Sequence, residues 1–184
     1  MYEIKYYNSD SRKQDNNLLS STAKTIVNNI ESGNSYYQIF KKHEPQDLLK
    51  NLIAVASEIR NRFSDLIVIS MGGATLNPQM LVSFLGQDQN SPKIHFLNNT
   101  DPFFFSDLMD IIEIKNTAFI AISNSGETLE TNALVGCLLR EYQKHNITDI
   151  GLRSFFITNL KAGILKDIAM EIGATLIPHQ EGIS

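Results

Sequence analysis

Ser123-Asn124-Ser125-Gly126-Glu127-Thr128-Leu129-Glu130-Thr131 joins an apolar run to an amphipathic pattern. Ahead of it runs Thr117-Ala118-Phe119-Ile120-Ala121-Ile122, short, apolar after its first residue and rich in Ile and Phe. That reads as a fully buried parallel strand. Behind it Leu134, Leu138 and Tyr142 recur every fourth residue, with Ala133, Cys137 and Leu139 beside them, as on a core-facing helix. A helix that opens here presents unpaired backbone N–H groups and the positive end of its dipole. The hydroxyls of Ser123, Ser125 and Thr128, with Gly126 admitting close backbone approach, complete a site for a phosphate dianion. An ordinary Ser/Thr helix cap is the plainer alternative. Three hydroxyls within six residues exceed what one cap requires, so the anion site is preferred.

Outward from this stretch, strands and helices alternate. Residues 66–70 read as a buried strand, Met71-Gly72-Gly73-Ala74-Thr75 as a tight loop, and residues 78–85 as a helix with Pro78 in its first turn. Residues 93–97 form a second strand ending in Asn98-Asn99-Thr100-Asp101-Pro102, followed by a short helix over 103–112. The third strand, 117–122, leads into a helix reaching His145. A fourth strand over 153–158, a helix over 162–172 and a fifth strand over 175–178 complete the series. Such alternation implies right-handed crossovers and an α/β fold: a doubly wound, three-layer sandwich on a five-stranded parallel sheet. Ligands bind beyond the carboxyl ends of the strands in such sheets, where both the Gly-Gly loop and the hydroxyl loop fall. Ile67, Ile69, Ile120 and Phe156 are the expected inaccessible core.

Residues 1–64 read as a helical extension and 65–184 as one compact unit. Residues 1–17 are polar, with at most a short strand over 4–7. Leu19, Ala23, Ile26, Val27 and Ile30 mark an amphipathic helix stopped at Gly33. Tyr36, Tyr37, Ile39 and Phe40 form an aromatic patch suited to packing, and Pro45 opens a strong helix with a broad apolar face.

The chain has 184 residues, enough for one α/β domain with a sizeable core. A net charge of −4 and the lack of a basic run argue against nucleic acid as a partner. No apolar stretch approaches a membrane span, and the N-terminus has no signal-peptide core. Cys137, the single cysteine, reads as a packing residue in a reducing cytoplasm. Metal-site spacings are absent, so neither metal nor cofactor is expected. His95 lies within a strand and reads as a hydrogen-bonded structural histidine, while His43 and His145 sit near helix ends. His179 and Glu181, on a carboxyl-end loop, are a weaker candidate acid–base pair. Lys161 and Lys166 read as solvated charges.

The stretch 123–131 resembles the phosphosugar-binding signature of SIS (sugar isomerase) domains, and within them the glucose-6-phosphate isomerase family. Gly72-Gly73-Ala74-Thr75-Leu76-Asn77-Pro78 resembles that family's Gly-Gly-Ser-x-Leu-Gly-Pro loop, and Phe96-Leu97-Asn98-Asn99-Thr100-Asp101 its Phe-x-Ser-Asn-x-Asp segment. Order and spacing agree, so the resemblance covers residues 66–184. It implies that Ser123, Ser125, Gly126 and Thr128 hold a sugar phosphate, and that Gly72, Gly73 and Ala74 pass along the sugar. The tail Glu181-Gly182-Ile183-Ser184 is similar to the segment just ahead of the family's Gly-Gly-Arg-x-Ser motif. The family's catalytic groups lie beyond that point, so none is assigned here and the chain is expected to be an N-terminal portion. Ala74 replaces a usual serine, Asn77 a glycine and Asn124 a common lysine, and Glu127 sets a carboxylate beside the expected dianion.

Three functions follow as expectations. The first is the phosphosugar-binding domain of a glucose-6-phosphate isomerase-like aldose–ketose isomerase, with a sugar phosphate as partner and a homodimer as the assembly considered. The second is a complete small SIS isomerase acting on another sugar phosphate, such as a hexulose phosphate. The third is a non-catalytic phosphosugar sensor.

Overall fold

The computed structural model describes residues 12–32, 46–86, 88 and 90–179. The expected strand over 4–7, the aromatic patch over 36–40, His43, Pro45 and the tail over 180–184 lie outside the described residues. The chain divides into two compact units. The first contains helix α1 (Arg12–Glu31), which starts seven residues ahead of Leu19, the first residue of its apolar pattern. Helix propensities of polar residues differ by only tenths of a kcal/mol, so a polar run carries little signal of where a helix begins.

The second unit holds every other element: α2 (Gln46–Arg62), β1 (Asp65–Ser70), α3 (Gly73–Leu85), β2 (Lys93–Leu97), α4 (Pro102–Ile111), β3 (Thr117–Ser123), α5 (Leu129–Lys144), β4 (Ser154–Thr158), α6 (Ile164–Glu171) and β5 (Thr175–Pro178). The five strands form one sheet in the order β2-β1-β3-β4-β5, with every neighbouring pair parallel. The chain leaves β1 toward β2 but leaves β3 toward β4, so the winding reverses between these two central strands. Right-handed crossovers then put α3 on the face opposite α4, α5 and α6.

The main core lies on the α4–α6 face. Ile67, Ile69, Leu97, Phe119, Ala121 and Phe156 of the sheet pack with Leu108, Leu134, Val135, Leu138, Tyr142, Leu165 and Ala169 of the helices. Phe119 meets Phe156 edge-on at 5.5 Å between ring centroids, an arrangement that suits the ring quadrupoles. A smaller cluster on the opposite face joins Ile59 of α2 and Phe63 to Ala118 and Phe155.

Three of the four expected core residues, Ile67, Ile69 and Phe156, are fully buried; Ile120 is half-buried. Alternation along β3 turns Ile120 toward α2, where it lines an open apolar groove of about 380 Å³ with Ile94, Ile157 and Ile177. Cys137 is exposed rather than packed. The buried face of α5 runs through Thr131, Leu134, Val135, Leu138 and Tyr142, and Cys137 falls one helical step outside that stripe.

Helix α3 also departs from expectation. It begins at Gly73, so the Gly-Gly stretch is a helix start and Pro78 lies inside the helix. There Pro78 has no N–H for the carbonyl of Ala74. Only Thr75 of this helix is buried, while Leu76, Met80, Leu81, Phe84 and Leu85 face outward.

Candidate functional site

The site is built where β1 and β3 end. Ser70 pairs in register with Ile122, so the loops leaving these two strands depart side by side. Since the winding reverses between them, one loop turns toward each face and a crevice opens at the switch point. The Gly72-Gly73 turn follows β1 and the hydroxyl loop follows β3, so the two loops flank this switch point.

Within the hydroxyl loop, Ser123 Oγ lies 2.9 Å from Thr128 Oγ1 and accepts the Gly126 N–H at 3.2 Å. Ser125 Oγ accepts the Glu127 N–H at 3.2 Å. Thr128 is the N-cap of α5, yet its side chain makes no capping bond. Its hydroxyl turns back to Ser123, so Thr128 gives the first amides of α5 no side-chain acceptor. An ordinary Thr cap does not account for this geometry.

The loop's shape depends on glycine at one position. Gly126 has φ +71°, and a Cβ there would come within 2.9 Å of Thr158 Oγ1 and 3.3 Å of the Gly163 Cα. Its carbonyl accepts from Asn132 Nδ2 at 3.2 Å and from the Leu165 N–H at 3.1 Å. Its oxygen therefore has partners inside the fold, and its N–H serves the loop.

On the other wall, Ser70 Oγ and Thr75 Oγ1 lie 2.6 Å apart, and Thr75 Oγ1 also donates to the Ser70 carbonyl. This buried pair ties the end of β1 to the first turn of α3. A Cβ on Gly72 or Gly73 would meet nothing within 4 Å, so both face open space, and Ala74 is half-buried behind them. At the end of β2, Asp101 caps α4 by accepting the Phe103 N–H at 2.8 Å, and Asn99 Oδ1 accepts the Asp101 N–H. The Asn98–Asp101 segment is thus accounted for by a turn and a cap.

Three polar atoms next to the hydroxyl loop escaped the sequence reading. Thr131 Oγ1, Asn132 Oδ1 and Thr158 Oγ1 are buried and have no hydrogen-bond partner among the described residues. Thr158 aligns with Ser123 across β3 and β4, so hydroxyls end β1, β3 and β4 alike. A polar residue closing the apolar run Phe155-Phe156-Ile157 was the available signal for it.

Of the described histidines, His95 and His145 belong to other parts of the fold, while His179 follows β5. His95 Nε2 lies 2.7 Å from Asp65 Oδ1, and Asp65 Oδ2 accepts from Ser64 Oγ, a structural pairing at the start of β1. His145 is the C-cap residue of α5. The His179 N–H donates to the Thr158 carbonyl, and Glu181 lies outside the described residues. Lys166 Nζ reaches the Lys161 carbonyl at 3.4 Å. Among the described residues no group of His, Cys, Asp and Glu could hold a metal, and no helix is long and apolar enough to cross a membrane.

Comparison with known proteins places this geometry in a family. The family model for phosphoglucose isomerase matches residues 46–157, from α2 into β4. The glucose-6-phosphate isomerase of Rubrobacter xylanophilus is 30% identical over 131 residues, which cover 66% of this chain and 30% of that one. The glucose-6-phosphate isomerase of Alkaliphilus metalliredigens is 30% identical over 155 residues, 77% of this chain and 34% of its own. The chain therefore spans about a third of the length of these curated relatives.

Among solved structures, a hypothetical protein from Thermus thermophilus has a TM-score of 0.72 at 20% identity, covering 93% of this chain and 40% of that one. A glucose-6-phosphate isomerase from Chlamydia trachomatis has a TM-score of 0.68 at 19% identity, covering 81% of this chain and 31% of its own. At such identities the likeness speaks for the fold alone, the SIS-type doubly wound sheet. With the family model matched across more than half of its residues, the chain belongs to the phosphoglucose isomerase family.

Proposed function

We propose that this chain is the phosphosugar-binding domain of a glucose-6-phosphate isomerase-like aldose–ketose isomerase. In this reading residues 65–184 form the binding domain and residues 1–64 a helical extension. Ser123, Ser125, Gly126 and Thr128 receive the phosphate, and Gly72, Gly73 and Ala74 lie along the sugar. The observation that carries the reading is the start of α5, which its own N-cap residue Thr128 leaves uncapped, at the sheet's switch point in a loop with three hydroxyls. On ligand binding, Ser123 and Thr128 exchange the hydrogen bond between them for bonds to phosphate oxygens, which are charge-assisted and stronger.

Interconversion of glucose 6-phosphate and fructose 6-phosphate moves a proton between C1 and C2 and is redox-neutral, so the reading calls for no cofactor. It carries glycolytic and gluconeogenic roles, a cytoplasmic location and a homodimer as its expectations. No described residue is assigned as the general base, and the Glu127 carboxylate accepts the Ile164 N–H. Proton transfer is assigned to parts of the full-length isomerase outside this chain. Ala74, which lacks a hydroxyl on the sugar side, favours a non-catalytic phosphosugar sensor as the second reading.

Calorimetric titration of the chain with glucose 6-phosphate and with glucose, alongside an isomerase assay, tests the proposal. Binding of the phosphate ester alone, without turnover, is the expected result. Equal binding of the two sugars would refute the phosphate assignment, and turnover would favour a complete small isomerase.

A further inference from the structure

We propose that Glu127 is a positioning residue, holding the phosphate loop in shape by capping the N-terminus of α6 from outside that helix. The inference rests on the phosphate reading above and deepens it. Helix α6 starts at Ile164, behind a glycine N-cap, Gly163, which has no side chain to offer. Its first amides need acceptors from elsewhere. Glu127 Oε1 accepts the Ile164 N–H at 3.3 Å, and the Gly126 carbonyl accepts the next amide, that of Leu165, at 3.1 Å. Two consecutive loop residues thereby replace the missing cap.

The surrounding backbone is fitted to this contact. A Cβ on Gly163 would stand 2.9 Å from the Ser125 carbonyl oxygen and 3.2 Å from the Gly126 Cα, so the two segments meet glycine to glycine. The Asn159 N–H donates to the Asn124 carbonyl at 3.2 Å, fastening the other end of the loop to the turn after β4. Residues 124–127 are thus laced to α6 and its preceding turn, and the loop's shape is set by α6 as much as by α5. A carboxylate beside a dianion opposes binding. Directed at the positive end of α6, that charge serves the helix instead.

Three forms of the chain test this: unaltered, Glu127→Gln and Glu127→Ala. Glutamine keeps an oxygen for the Ile164 N–H and removes the charge; alanine removes both. Amide hydrogen exchange at Ile164 reads the cap with no ligand present, and glucose 6-phosphate titration reads the loop. In Glu127→Ala the Ile164 amide should exchange about tenfold faster, the size of a lost cap, and affinity should fall about fivefold or more. In Glu127→Gln exchange should stay as in the unaltered chain, and affinity should hold or improve. If both variants bind more tightly to the same degree, Glu127 acts only as a repelling charge and the positioning role is wrong. Equal binding by all three forms, or unchanged Ile164 exchange in Glu127→Ala, overturns it as well. If the unaltered chain binds no glucose 6-phosphate, the phosphate reading fails and takes this role with it, whereas the preceding outcomes overturn the positioning role alone.

Discussion

Gly73 and Gly126 stand on opposite walls of the crevice, and the space around each predicts opposite results on substitution. Gly73 is the first residue of α3, and a Cβ there meets nothing within 4 Å. Gly73→Ala should change stability by no more than about 0.5 kcal/mol, because helix formation favours alanine and no protein atom objects. If the sugar passes along this turn, the same methyl group should weaken glucose 6-phosphate binding, as titration will read. Gly126 instead has φ +71° and a Cβ position 2.9 Å from Thr158 Oγ1. Gly126→Ala should cost about 1–2 kcal/mol from backbone strain alone, with the clash in addition, measured by chemical denaturation. A stable Gly126→Ala chain would show that the loop is not held as described.

At the scale of elements, one arginine ties together three parts of the fold. Arg153, just ahead of β4, makes bonds of 2.7 Å to both carboxylate oxygens of Asp149, and donates to the carbonyls of Lys115 and Thr117. Its guanidinium lies over the rings of Phe63 and Tyr142. Arg153→Lys loses the planar fork and should be destabilised by about 2 kcal/mol or more, nearly as much as Arg153→Met. The Arg153 hydrogen bonds hold the Asp149 carboxyl below its ordinary range. A group with a depressed folded pKa stabilises the fold above its unfolded value, about 3.9, and that share is lost as pH falls through the folded value. Asp149 is 42% exposed, so solvent screening keeps its share below about 1 kcal/mol. Denaturation from pH 5 down to pH 2 should therefore show a shallower acid slope in Asp149→Asn. Phe63 and Tyr142 were legible as apolar helix positions, but their meeting with Arg153 was not, because it joins segments far apart in sequence. The strands were legible, since continuous apolar runs such as residues 66–69 and 118–122 have few readings other than buried parallel strands. The start of α3 was misread because Gly72-Gly73 and Pro78 are loop residues by local preference. There the Ser70–Thr75 pair and the packing on β1 prevailed over preference.

At the scale of the whole molecule, the strand order explains why two loops more than fifty residues apart in sequence form one crevice. The hydroxyl loop could be found from sequence because its residues are contiguous. Thr158 could be seen only as the polar end of an apolar run, because its place beside Gly126 depends on the pairing of β3 with β4. Thermal unfolding of the unaltered chain and of Thr128→Val reads whether phosphate binds at the start of α5. A ligand bound only by the folded state adds about 2.7 kcal/mol at a hundredfold excess over Kd, or roughly 5–10 °C for a chain of this size. Thr128→Val gives up the 2.9 Å bond to Ser123 Oγ, so its own melting temperature will differ, and the ligand-induced shift is the quantity to compare. Glucose 6-phosphate should raise the melting temperature of the unaltered chain, while glucose at matched ionic strength should do little, and most of the rise should vanish in Thr128→Val. An equal rise in both chains would place the phosphate elsewhere and contradict the account.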